Sequence, residues 1–110
     1  MRVFISGPYS GNPVANTEAA MDAAHALMDL GFHPFCPHLS HFLEQYRSRP
    51  YEEWMRLDLE WVAQCDVLLR LPGESEGADR EVAAAKSDGI RVFFSIEEVD
   101  AYRRGFFAHA

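Results

Sequence analysis

Val67-Leu68-Leu69-Arg70-Leu71 is nearly continuous in apolar character, the pattern of a strand covered on both faces. Such strands belong to parallel sheets, because crossover helices are what cover both sides. The residues that follow agree. Pro72 to Gly77 reads as a turn, and Ala78 to Ser87 as a short helix stopped by Gly89. Ile90 to Phe94 is a further strand, and Ser95 with Glu98 makes a capping box for a last helix carrying Ile96, Val99 and Tyr102. The same alternation runs upstream. Val3-Phe4-Ile5 is a first strand, and Asn12-Pro13 starts a helix with a capping side chain and a proline at the first helical position. That helix runs to about Leu30, with Ala20, Met21, Ala24, Leu27 and Met28 as its apolar stripe and Gly31 as its left-handed cap. His33 to Cys36 is strand two, and Pro34 places it at a sheet edge because proline has no N–H for the ladder. Residues 37–49 form a polar and aromatic connection with one helical turn around His41–Tyr46. Pro50 opens a helix that reaches about Gln64.

Four strands alternating with helices predict an α/β architecture: a flavodoxin- or Rossmann-like three-layer fold. Its small parallel sheet takes the order 2-1-3-4, with helices on both faces. The chain, 1–110, has the length of a single domain. Ligands of such sheets bind beyond the carboxyl ends of the strands, at the switch point between strands one and three. The loops Gly7–Asn12 and Pro72–Gly77 meet there.

Lys and Arg number 10 against 17 Asp and Glu, a net charge of -7. That balance excludes nonspecific nucleic-acid binding, which relies on a basic surface. No apolar run approaches the ~20 residues that cross a bilayer, so no membrane partner is expected. Met1-Arg2 leads directly into strand one without a signal region, and Cys36 and Cys65 lack a CxxC spacing. A cytoplasmic protein with reduced thiols is the expectation. Eight Phe, four Tyr and two Trp exceed the needs of a small core, which assigns some of them to a ligand or a neighbouring subunit. Phe106-Phe107, beyond the last helix, mark either an oligomer contact or packing back onto the domain.

Asp58 breaks the pattern most. It lies on the helix from Pro50 within a stripe of Trp54, Leu57, Trp61, Val62 and Cys65, while Glu53, Arg56 and Glu60 fall opposite. A carboxylate on a buried face needs hydrogen-bond partners or becomes protonated. It either caps a nearby loop or faces a cleft. Glu81, in the first turn of the helix after strand three, either complements the helix dipole or flanks that cleft with Asp58. Paired carboxylates are the usual equipment for glycosidic-bond chemistry. Gly7, Ser10 and Asn12 lie in a loop that leads to a helix N-terminus, a place for anionic or polar ligand groups. Ser75 and Gly77 form the corresponding turn before Glu81. His38 follows the carboxyl end of strand two and is a candidate for substrate contact. Tyr46, Arg47 and Arg49 either line a base or phosphate or belong to a solvated loop. Cys36, His38 and His41 present ligand types close together, but no second cluster completes a zinc site. No metal and no cofactor is expected. GxGxxG, a P-loop and GxSxG are absent from the sequence.

Val3-Phe4-Ile5-Ser6-Gly7-Pro8-Tyr9-Ser10-Gly11, then Asp58-Leu59-Glu60-Trp61 and Cys65-Asp66-Val67, then Ser75-x-Gly77-x-x-x-Glu81 together resemble the nucleoside 2-deoxyribosyltransferase family. They also resemble its relatives that hydrolyse nucleoside 5'-monophosphates. The resemblance implies an enzyme, transferase or hydrolase, that cleaves the N-glycosidic bond of a (deoxy)nucleoside or its monophosphate with retention. Glu81 matches the nucleophile that forms a covalent glycosyl-enzyme, Asp58 the acid assisting departure of the base, and Tyr9 a tyrosine that orients the pair. Ser75 and Gly77 match the turn that binds the sugar's 5' hydroxyl or phosphate. The resemblance also implies a homo-oligomer with sites near subunit interfaces. Asp79-Arg80 stand where relatives often carry apolar or aromatic residues, and the first loop lacks the arginine and extra glycines of the monophosphate hydrolases. The alternative from another class is a catalytically silent nucleotide-binding or assembly module of the same fold.

Overall fold

The computed structural model describes residues 1–105. Four strands, β1 (Arg2–Ser6), β2 (His33–Phe35), β3 (Val67–Arg70) and β4 (Arg91–Phe93), form one all-parallel sheet in the order β2-β1-β3-β4. The register sets Val3 beside Pro34 on one flank and Val67 on the other, and Ser6 beside Arg70 at the carboxyl end. β2 lies at the edge that Pro34 requires. The sheet is the α/β three-layer arrangement expected from the sequence.

Five helices cover it: α1 (Pro13–Asp29), α2 (Ser40–Tyr46), α3 (Tyr51–Val62), α4 (Glu76–Ser87) and α5 (Ile96–Arg103), with a 3-10 turn at Pro37–Leu39. Side chains alternate across each strand. Val3, Ile5, Val67 and Leu69 pack with Ala20, Ala23 and Leu27 of α1 and Val99 of α5. Phe4 and Leu68 face the other way, onto Val62 of α3 and Ala85 of α4. Three helices start on side-chain caps: Asn12 accepts from the N–H of Ala15 at 3.2 Å, Ser75 from Ala78 at 3.0 Å and Ser95 from Glu98 at 3.1 Å.

The structure departs from the sequence reading at particular residues. Met28 is exposed, and α1 buries Thr17 and Ala23 instead. On α3 the buried positions are Met55 and Val62, whereas Leu57 and Trp61 are exposed at 42% and 44%. Trp61 stacks on Phe35 of β2 with ring centroids 4.8 Å apart. Among the described residues no strand lies beyond β2, so the outer side of that indole meets solvent. α4 begins at Glu76, which puts Gly77 inside its first turn instead of in the preceding loop. Phe106 and Phe107, read as either an oligomer contact or packing back onto the domain, lie outside the described residues.

Candidate active site

The carboxyl ends of β1 and β3 open onto a cleft of about 610 Å³, within the size range of small-molecule sites. Its wall comes from four stretches of chain: the loop after β1, the segment from Pro37 to Glu44, the inner side of α3, and the N-terminus of α4. Gly7, Tyr9, Ser10, His38, Ser75 and Gly77 line it, as do Asp58 and Glu81. Asn12 does not. Its side chain caps α1 and the residue is exposed, so the cap that the sequence announces is its role in the fold.

Asp58 and Glu81 meet directly. Their side chains are hydrogen-bonded to each other, so the two carboxyls stand side by side at one wall instead of facing each other across the cleft. A hydrogen bond between two carboxyls requires one proton between them. Burial is the main cause that raises both carboxyls above their ordinary range. The effect is larger on Glu81, which is only 5% exposed and also feels the charge of Asp58. Opposing it, Ser6 Oγ donates to Glu81 Oε1 at 2.7 Å, and the guanidinium of Arg70 favours the charged form. Arg70 is itself held by Asp79 Oδ1 at 3.2 Å, by the Gly73 carbonyl at 2.9 Å and by the carbonyl of Leu71.

The first loop is braced from behind. Asn16 Nδ2 donates to the carbonyls of Tyr9 and Ser10 at 3.0 and 3.2 Å. His38 Nε2 bonds the Pro8 carbonyl at 2.9 Å, so that nitrogen carries the hydrogen. Burial pushes His38 below its ordinary value, which keeps the imidazole neutral at pH 7. The Tyr9 hydroxyl pairs with His41 Nδ1 at 2.5 Å. Tyr9 therefore lines the cleft with the carboxyl pair, but its hydrogen bond goes to His41, and Ser6 is the residue that grips Glu81.

Gly7 and Gly77 owe their identity to close approaches. A Cβ on Gly7 would sit 2.9 Å from Cβ of Leu71, and one on Gly77 would sit 2.9 Å from the Tyr51 hydroxyl. Gly77 thus lets α3 and α4 come together where they carry Asp58 and Glu81.

Sequence reasoning passed over several lining residues. Glu44 accepts from Ser48 Oγ at 2.7 Å, the Arg49 N–H at 3.0 Å and Trp54 Nε1 at 2.6 Å. One carboxylate thereby ties the α2–α3 connection together and fixes Trp54 and Arg49 beside the cleft. Ser6, which holds Glu81 without itself lining the cleft, had a visible signal, a polar residue closing an apolar strand; His41 had one only as a metal-ligand type, and Glu44 had none. Among the described residues no group of three or more His, Cys, Asp or Glu side chains is placed to hold a metal ion. No described helix is long and apolar enough to cross a membrane.

The fold is similar to that of the 2-deoxyribosyltransferase of the psychrotolerant bacterium Bacillus psychrosaccharolyticus, with a TM-score of 0.67 at 20% identity. The superposition covers 84% of this chain and 69% of that one. At this identity the likeness is one of fold. No curated protein matches the chain. Residues 1–94 match the model of a family described as a domain of unknown function, DUF4406, and the chain belongs to that family.

Proposed function

We propose that the protein cleaves or transfers the N-glycosidic bond of a small-molecule nucleoside by a retaining mechanism, with Glu81 as nucleophile. The observation that carries this reading is the pair of adjoining carboxyls, half-buried Asp58 and buried Glu81, in a cleft at the carboxyl end of the sheet. The fold shared with a 2-deoxyribosyltransferase supports it.

Breaking the bond between base and sugar develops positive charge on the anomeric carbon. An adjacent carboxylate stabilises that charge and traps it. As the charge grows, it favours the anionic form of Glu81, and the shared proton settles on Asp58. An oxygen of Glu81 forms a bond to the anomeric carbon while the bond to the base nitrogen breaks, and Asp58 gives its proton to the departing base. The products of this half-reaction are a glycosyl ester on Glu81, a free base and an ionised Asp58. Asp58 then takes a proton from the acceptor as it attacks the anomeric carbon and releases Glu81. Water gives hydrolysis, and a second base gives transfer. Tyr9 and His41, paired with each other, and Trp54, held by Glu44, offer aromatic surface for the base. Ser10, His38, Ser75 and the backbone at Gly7 and Gly77, which line the same cleft, meet the sugar and its 5' end in this reading.

Charge favours a nucleoside over its monophosphate. Besides the reacting pair, Glu44, Glu74 and Glu76 line the cleft, against Arg49. A phosphate dianion placed there would be repelled.

Incubation with a panel of deoxynucleosides and their 5'-monophosphates tests the reading. Free base is expected from the nucleosides first, and intact-protein mass spectrometry is expected to show a sugar adduct that Glu81→Gln abolishes. Base release surviving Glu81→Gln would defeat the covalent route. Binding without release across the panel would identify the protein as the catalytically silent module.

A further inference from the structure

We infer that Ser6 is a positioning residue that biases the shared proton of the Asp58–Glu81 pair toward Asp58. By donating its hydroxyl hydrogen to Glu81, it favours the anion on Glu81 and the proton on Asp58, against the burial that raises Glu81 the more. The inference rests on the reading of Glu81 as nucleophile and Asp58 as proton source.

Ser6 is fully buried at the carboxyl end of β1. Its Oγ lies 2.7 Å from Glu81 Oε1 and 3.4 Å from the Ala78 carbonyl oxygen. Both acceptors belong to α4, one turn apart. A hydroxyl has one hydrogen to give, so the two acceptors compete for it. A carboxylate attracts that hydrogen more strongly than a neutral carboxylic acid, an ester or an amide carbonyl. The Ser6 bond is therefore strongest when Glu81 is charged, and it biases the pair toward that state.

The other groups around Glu81 do not supply this bias in the same way. Asp58, from α3, opposes ionisation of Glu81 through its own charge. Arg70, at the end of β3, favours ionisation, but its guanidinium hydrogen bonds run to Asp79, Gly73 and Leu71. From the loops, Tyr9 and His38 share the cleft, with Tyr9 paired to His41 and His38 bonded to Pro8. Ser6 is the neutral donor aimed at the Glu81 carboxyl itself. When Glu81 becomes the glycosyl ester its charge disappears, and the Ser6 hydrogen is free to turn to the Ala78 carbonyl. When the ester is cleaved it swings back. The hydrogen stays on Oγ throughout.

The test is a pH titration of the substrate-free protein, labelled with carbon-13 in its Asp and Glu carboxyls and followed by NMR. In Ser6→Ala the Glu81 titration is expected to move to higher pH by about one unit, the direction that loss of a hydrogen bond to a charged form produces. That of Asp58 is expected to move lower. Ser6→Cys, with its weaker S–H donor, should show a smaller shift in the same directions. Unchanged titrations in folded Ser6→Ala and Ser6→Cys would overturn the inference. Failure of both variants to fold would overturn it too, by making Ser6 a brace of β1. Because no substrate is present, the result stands apart from whether the protein releases bases. If it does release them, Ser6→Ala is also expected to shift the acidic limb of the kcat/KM profile to higher pH by a similar amount, with a native circular dichroism spectrum.

Discussion

The two faces of the sheet are built from the same strands and do different work. On the α1/α5 face, Val3, Ile5, Val67, Leu69 and Phe93 close against Ala20, Ala23, Leu27 and Val99, and the buried polar side chain that α1 carries is the uncharged Thr17. On the α3/α4 face the apolar cluster is smaller, formed by Phe4, Leu68, Val62, Cys65 and Ala85. There the alternation ends in Ser6 and Arg70, neighbours in register, and the helices bring in Asp58 and Glu81. One face supplies the stability that lets the other hold two carboxyls out of water.

Predictions follow from that division, and the first tries to break it. Leu27→Ala removes a fully buried side chain from the α1/α5 face and is expected to cost about 3 kcal/mol in denaturant unfolding. Base release per folded molecule is expected to stay unchanged. A loss of turnover beyond the unfolded fraction would show that the faces are coupled.

Glu81→Gln tests the opposite side. The carboxyls of the pair hold protons more tightly folded than unfolded. Their contribution to stability is therefore complete below the unfolded carboxylate range and is lost as pH rises through the raised folded values. Gln is neutral at every pH, and its carbonyl accepts from Ser6 while its amide donates to Asp58. The variant is expected to be more stable than the parent by about 2 kcal/mol at pH 8 and to show a smaller difference at pH 4. Equal unfolding curves at pH 8 would place the protonation cost elsewhere.

The smallest effect comes from two matched caps. Ser75 opens α4 on the site face and Ser95 opens α5 on the other, with cap bonds of 3.0 and 3.1 Å. Each Ser→Ala change is expected to cost about 1 kcal/mol in thermal unfolding. Ser75→Ala alone is expected to lower base release as well, because α4 carries Glu81. Equal activity in the two variants would mean that the start of α4 does not position Glu81.

Most of the fold was legible because it depends on local signals. The apolar runs, the caps at Asn12 and Ser95 and the edge proline Pro34 each act through neighbours in the chain. Asp58 was legible for a similar reason: a charge set within an apolar helical stripe is visible without knowing its partner, whereas Glu81 stood out by its place at the start of the helix after strand three and by the family resemblance. What stayed hidden depends on distant partners. Ser6 reads as the polar end of a strand until α4, 75 residues away, delivers Glu81 to it. Glu44 and His41 sit in a polar and aromatic connection, where His41 stood out only as a metal-ligand type and Glu44 did not stand out. Leu57 and Trp61 were misplaced because periodicity ranks side chains by hydrophobicity and cannot see that the sheet ends at β2, leaving an indole half-wet on Phe35. Asn12 was overread, since a side chain that caps its own helix has no need of a ligand.

The contact between Gly77 and Tyr51 has a consequence for substitution. The hydroxyl occupies the space that any larger residue at position 77 would claim, and the two helices that meet there hold the carboxyl pair in contact. A larger residue at position 77 would ask the half-exposed Tyr51 side chain to swing aside where the helices bearing Asp58 and Glu81 meet. The glycine keeps that junction free of any such adjustment.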